Sequence, residues 1–252
     1  MSEDVLHVEC ATHGKRRATF LCQHLIGGGE GLGFHCGYNS EAPDEVYPDA
    51  WCDACEQMLE TEGEWTEHAM EAAGVKMVCD VCYEELRARH WVQDDEAFAR
   101  LVEESNEYLE ARQEELWSKF ELEECESYNW NQESGELTFF RDGEARVVAD
   151  IQFSGSFSTR SNTWLWSWAN SSLLEAVKTG VREVRELGSR TGFLKLAAAH
   201  WRATEEDGWD MTAITARLLG AVGAYRSPGE GGATFMVITA MRWAGEPRLD
   251  VH

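Results

Sequence analysis

Four close pairs of soft metal ligands, all before residue 83, constrain this chain more than any other feature: Cys10-x2-His13, Cys22-x-His24, Cys52-x2-Cys55 and Cys79-x2-Cys82. Six thiols and two imidazoles are the eight donors that fill two tetrahedral zinc sites with no position left open. A stretch of about 80 residues buries little apolar surface, so bound metal supplies much of its folding free energy. The same count assigns the metals a role. A catalytic zinc keeps an open position beside three protein ligands, whereas two closed sites hold structural ions. Four disulfides are the weaker alternative, because a Cys-x2-Cys pair bridges poorly to its own neighbour and the interleaved histidines would be unexplained. Reduced cysteines in metal spacing place the protein in the cytoplasm.

Each pair has a local setting. Cys10-x2-His13 followed by Gly14 has the form of a zinc knuckle, with glycine relieving the turn. Lys15 to Cys22 reads as a short strand centred on Thr19-Phe20-Leu21. Cys52-x2-Cys55 and Cys79-x2-Cys82 each open a helical pattern, carried by Met58-Leu59 and by Tyr83 with Leu86. A helix N-terminus favours thiolate. Knuckle, strand and ligand-bearing helix is the order of a treble-clef-like or cross-braced module, expected over residues 1–92. Two groupings stay open. A sequential one places Cys10, His13, Cys22 and His24 in one site and Cys52, Cys55, Cys79 and Cys82 in the other. A cross-braced one joins the first pair to the third and the second to the fourth, and is preferred because each early pair then meets a helix-start pair. His35 and Cys36 are left over as bystanders. The adjoining Gly27–Gly33 loop lacks the lysine of a phosphate-cradling G-x-x-x-x-G-K-[ST] motif. Cys125 reads as a small buried residue.

Residues 93–252 read as an α+β domain. Phe98, Leu101, Val102, Tyr108, Leu109, Leu116, Trp117 and Phe120 fall at helical spacing over residues 94–124, behind Asp94 or Asp95 as N-cap. The period then changes to two. Strands are expected over Glu136–Arg141 and Ala145–Phe157, and over a third run in which Trp164, Trp166 and Trp168 share one side. Three indoles in a row are either sheet core or a stacking platform for a sugar or base, and core packing is the preferred reading. Three helical segments follow: one capped by Ser171 or Ser172 and stopped at Gly188, one over Phe193–Ala203, and one from Asp210 through Tyr225. Ala233–Trp243, apolar on both faces, reads as a central strand. An antiparallel meander with helices on one face is the expected architecture.

The pattern Gly155-x-Phe157, Ser161 and Thr163-Trp164-x-Trp166-x-Trp168-Ala169-Asn170 resembles an uncharacterised bacterial domain family of unknown function. The opening Cys10-x2-His13-Gly14, Ala18-Thr19-Phe20-x-Cys22-x-His24-Leu25 and Pro48-Asp49-Ala50-Trp51-Cys52-x2-Cys55 resemble the zinc region of uncharacterised bacterial proteins. These resemblances imply a bacterial origin and carry over no catalytic residue.

Function is bounded mainly by charge. The 46 acids against 22 bases give a net charge of −24. Six thiolates and two Zn²⁺ would add about −2. Such a field repels phosphate backbones and anionic membranes and steers a basic partner inward. The chain has no apolar run of about 18 residues to span a bilayer. Its acidic start, Met1-Ser2-Glu3-Asp4, lacks the apolar stretch of a secretory signal. The expected role is a zinc-stabilised, acidic, cytoplasmic protein-binding protein, of immunity or inhibitor type, that captures a basic partner such as a secreted nuclease. One alternative is an enzyme or small-ligand binder with a pocket near the tryptophan face and His200. Another is a nucleic-acid-binding zinc protein, for which Lys15-Arg16-Arg17 is the one basic cluster. Glu205-Glu206-Asp207 and Asp210 read as a helix cap, and no Gly-x-Ser-x-Gly, His-Glu-x2-His or P-loop motif supplies a nucleophile or base.

Overall fold

A computed structural model describes residues 6–37, 46–91 and 93–248. The acidic start Met1–Asp4, the expected boundary at Val92 and His252 lie outside them. The chain divides into two compact units. One runs to Asp94 and takes in Gly188–Trp201; the other comprises Asp95–Leu187 and the chain from Arg202 on. The fold is α+β, as the change of sequence period indicated.

The first unit opens with a hairpin of β1 (His7–Cys10) and β2 (Gly14–Leu21), turned at Gly14, whose φ of 69° suits glycine. A short helix α1 (Gln23–Gly27) follows, then two short strands, β3 (His35–Cys36) and β4 (Ala50–Trp51). Helix α2 (Asp53–Glu62) and helix α3 (Glu67–Ala73) precede β5 (Lys76–Cys79) and α4 (Asp80–His90). The strands form one sheet in the order β1-β2-β4-β3, with β5 also on β2. Both long helices start where expected: Cys52 is the N-cap of α2 and Cys79 that of α4. The core behind them is small, built on Leu21, Leu25, Phe34 and Tyr83 with Cys22, Cys52 and Cys55.

The second unit begins with α5 (Asp95–Lys119), which ends just before a 3₁₀ turn at Leu122–Glu124. Four strands follow: β6 (Ser127–Asn131), β7 (Glu136–Arg141), β8 (Glu144–Ser158) and β9 (Thr163–Trp166). Further along the chain come α6 (Arg182–Thr191), α7 (Leu194–Ala197) and β10 (His200–Arg202), of which α7, the end of α6 and most of β10 fall in the stretch Gly188–Trp201 of the first unit; α8 (Glu205–Leu218), β11 (Gly223–Gly229) and β12 (Gly232–Trp243) complete the second. The pairings among β6, β7, β8, β9, β11 and β12 are antiparallel. The 15-residue β8 is the axis: β12 runs along one edge, while β7 and β9 share the other. As expected for a strand apolar on both faces, β12 is central, between β8 and β11. Helices α5 and α8 close over the sheet through Leu109, Ala213, Ala216, Ala224 and Val237. A second cluster, around Phe139, Val147, Ile151, Phe153 and Met236, joins β7, β8 and β12.

Several local expectations are corrected. The tryptophan strand stops at Trp166 and becomes a 3₁₀ turn at Ser167–Ala169, so only Trp164 and Trp166 share a strand face. Both are fully buried, with ring centroids 5.4 Å apart. They are core, and no stacking platform exists there. Trp168 sits on the turn, under the Arg185 guanidinium at 4.7 Å. The helix expected from Ser171 begins only at Arg182, and the chain before it forms a 3₁₀ turn at Glu175–Val177. Asn170 Oδ1 accepts from the Ser172 amide and hydroxyl, and Gln132 Oε1 accepts from the Leu174 amide. That helix also runs through Gly188 to Thr191, and Gly192 follows it with a φ of 75°. Gly188 serves instead as a point of close approach, since a Cβ there would lie 2.6 Å from the Ala197 amide nitrogen.

The next expected helix, Phe193–Ala203, is only one turn long and gives way to β10, which carries His200. The last helix starts at Glu205, ahead of Asp210, because Thr204 and Asp207 form a capping box. It ends at Leu218, short of Tyr225. Gly220 turns the chain at a φ of 62°, and Tyr225 lies on β11. Strands β6, β10 and β11 were not anticipated.

Candidate metal centres

The four ligand pairs converge as two Cys3His clusters. One contains Cys10, His13, Cys79 and Cys82, the other Cys22, His24, Cys52 and Cys55, and within each the donor atoms all lie within 4.8 Å of one another. Each early pair meets a helix-start pair, but neither the sequential nor the preferred cross-braced grouping is the one found. The arrangement is nested: the first pair joins the fourth and the second joins the third.

Strand pairing explains the exchange. β5 runs antiparallel to β2, so its last residue, Cys79, lies opposite Ala18 while its first, Lys76, lies opposite Leu21. The fourth pair is thereby carried to the end of β2 that bears the knuckle. β4 touches β2 only at Leu21↔Ala50, in parallel, which brings Cys52 beside Cys22. The Cys22 amide donates to Ala50 O at 3.0 Å and fixes that junction.

The geometry suits a tetrahedral ion. With metal–sulfur bonds of about 2.3 Å and metal–nitrogen bonds of about 2.0 Å, tetrahedral edges measure roughly 3.5–3.8 Å. In the first cluster His13 Nδ1 lies 3.6, 3.4 and 3.5 Å from the sulfurs of Cys10, Cys79 and Cys82, and Cys10 and Cys82 are 3.9 Å apart. In the second, His24 Nδ1 lies 3.6 Å from Cys52 Sγ and 3.3 Å from Cys55 Sγ. Both histidines turn Nδ1 inward. The outer nitrogen of His13 faces Glu85 at 3.7 Å, the kind of outer-sphere carboxylate that orients a ligating imidazole. Glu85 sits three residues after Cys82, one helical turn on, which is the only trace of it in the sequence.

The leftover residues are placed as well. His35 and Cys36 are buried on β3 and join neither cluster. His35 Nε2 lies 2.7 Å from Asp53, next to ligand Cys52, and Cys36 Sγ lies 3.4 Å from the hydroxyl of Tyr83, next to ligand Cys82. Burial raises the Cys36 thiol and the Tyr83 phenol alike, so both stay protonated. These hydrogen bonds tie β3 to the starts of α2 and α4. Cys125 is half-buried in the second unit and His200 is buried on β10. Glu205, Glu206 and Asp207 form the first turn of α8, and Asp210 accepts from Asn106 Nδ2 at 2.9 Å, so the acidic run serves as cap and tie.

Electrostatics separates the thiols. Backbone amides of Thr12 and His13 hold Cys10 down at about 6, and a hydrogen bond from Cys22 holds Cys52 at about 5. That same pairing raises Cys22. Burial pushes Cys55 up to about 11 and Cys82 up to about 12. The sign for metal retention follows. Each raised thiol must lose a proton when a metal binds, so affinity rises with pH and falls with acid. For every proton displaced, the loss is about tenfold per pH unit. Cys10 and Cys82 are moreover half-exposed, whereas Cys22, Cys52 and Cys55 are 1, 2 and 4% exposed. The Cys10 cluster, open to solvent through two of its sulfurs, is therefore expected to yield its metal to a chelator before the buried Cys22 cluster does. A chromophoric chelator in a pH series, read with the Cys10→Ser variant, checks the order; simultaneous release or the reverse order would refute it.

Among the described residues, no helix is long and apolar enough to cross a membrane. No curated protein and no solved structure matches the chain significantly. A family model described as a family of unknown function (DUF6882) matches residues 99–241. That stretch contains the tryptophan strand and lies wholly after the last cluster ligand, Cys82. It covers more than half of the 252 residues, and the chain belongs to this family of unknown function.

Proposed function

We propose that the chain is a zinc-stabilised, cytoplasmic protein-binding protein that captures a basic partner, as immunity and inhibitor proteins do. The observation that carries the reading is the net charge of −24 on a chain whose Cys/His clusters each have four donors and no open position. Zinc is the metal that three thiolates and one imidazole at these separations suit best. The ions brace the first unit and leave its surface as the working part. An acidic surface accelerates encounter with a basic protein and loses that advantage as salt screens it, over a Debye length of about 10 Å at 0.1 M. Metal analysis should give two zinc ions per chain, and a value near zero in a folded, reduced sample would sink the zinc assignment. For the partner, the association rate with a basic nuclease-type protein should fall at least tenfold between roughly 0.05 and 0.5 M salt. A flat rate across that series would count decisively against electrostatic capture.

A further inference from the structure

Beside its second metal cluster, where Cys22 also lines it, the first unit carries an apolar groove. A cavity of about 180 Å³ is lined by Phe20, Trp51, Trp65, Met70 and Val75. Trp51 and Trp65 stand edge to face with centroids 5.0 Å apart, and the Trp51 indole donates to Glu56 at 2.6 Å, which fixes its ring from behind. Met77 extends the same face, since it lies directly opposite Phe20 in the β2–β5 pairing. Met70, Val75 and Met77 are 48, 40 and 45% exposed, three of the six large apolar side chains exposed among the described residues. Their clustering at one groove marks a contact surface.

Size and charge identify what fits. Small-molecule pockets run to about 300–1,000 Å³, so a cavity of this volume suits a single anchoring side chain. From Asp49 to Val75 the chain carries eight acidic residues and no lysine or arginine. Asp49 lines the cavity itself, and Glu67 and Glu71 flank Met70 on α3. A second copy of this chain would bring another −24 to that rim. We infer that the groove seats one apolar side chain of leucine size from a short segment of a protein partner, with flanking lysine or arginine residues on the acidic rim. The inference rests on the basic-partner reading above and assigns that partner a place on the first unit.

The test uses the full metal-loaded chain and three fluorescent heptapeptides: three basic residues on each side of a central leucine, the same with a central serine, and the leucine peptide with glutamates replacing the bases. Anisotropy should show the basic leucine peptide binding about tenfold more tightly than the serine one, at the low end of what burying a leucine side chain supplies. The preference should shrink to under about twofold in the Met70→Gln/Val75→Gln variant, with metal content unchanged. If that variant loses metal, Val75→Gln alone, at its exposed position, should still reduce the preference. Leu174→Gln, an exposed apolar site on the second unit, should leave it intact. Equal binding of leucine and serine peptides, or a preference untouched by the groove variants, overturns the groove while leaving salt-sensitive capture standing. Equal binding of the glutamate peptide, or no binding of either basic peptide at millimolar concentration, overturns the basic-partner reading itself. A dimer of the free chain that the groove variants disperse assigns the groove to a second copy and overturns the inference.

Discussion

Cys55→Ser is expected to strip one metal from the chain and unfold the first unit. Cys55 is 4% exposed, and its sulfur lies 3.3 Å from His24 Nδ1 among the donors of the more buried cluster. Serine preserves the volume and removes the thiolate, so a three-donor site remains. The magnitude follows from what holds this unit together. Structural zinc contributes an apparent binding free energy of about 10–16 kcal/mol at neutral pH, comparable to the whole stability of a typical domain at about 5–15 kcal/mol. The unit's apolar core includes Cys22, Cys52 and Cys55 themselves, so losing the ion opens the core as well as the site. Metal content should drop from two to one per chain, and amide exchange in β2, α2 and α4 should accelerate by orders of magnitude. Retention of two metals with native exchange rates would show that Cys55 is not a ligand.

Trp164→Ala should cost the second unit about 3–5 kcal/mol, the range for deleting a large buried aromatic. Trp164 is completely buried and lies edge-on to Trp166 at 5.4 Å and to Phe235 at 5.5 Å. The surrounding backbone has been cleared for its ring. A Cβ on Gly155 would come within 2.4 Å of Trp164 Cζ2, and one on Gly208 within 3.2 Å of Cζ3. Two glycines on two different elements, β8 and α8, leave the space no smaller side chain fills, so little collapse into the cavity is expected. At roughly 2–4 °C per kcal/mol for a domain of this size, melting should fall by about 10 °C. Urea denaturation with an unchanged slope is the cleaner measurement. A loss below about 1 kcal/mol would mean that the indole is not structural.

Much of the second unit was legible because its signals are local. Alternation along Glu136–Arg141 and Ala145–Phe157, helical spacing from Phe98 to Phe120, and the two-faced apolar run of Ala233–Trp243 each matched an element closely. The misreadings share one cause: a pattern that two structures can satisfy. Leu173, Val177 and Val181 repeat at helical spacing, yet the chain there forms only a 3₁₀ turn at Glu175–Val177, and spacing alone does not separate the two. Gly188 looked like a stop and is a packing contact. Trp168 continued an alternating pattern after the strand itself had ended.

In the metal module the division is sharper. The sequence by itself determined which eight residues gather as candidate ligands and that they suffice for two sites of four donors. Every chelating pair closes within one turn of backbone, so its chemistry is written in consecutive residues. Only the tertiary structure decided which pair shares a site with which. That choice belongs to the pairing of β2 with β5 and of β2 with β4, whose partners are up to 61 residues apart (Ala18 and Cys79). Antiparallel pairing of β5 carries Cys79 back to the knuckle end of β2, and a single parallel contact at Leu21 leaves Cys52 beside Cys22. Strand direction is a long-range property, and it turned an expected cross-brace into a nested pair of Cys3His clusters.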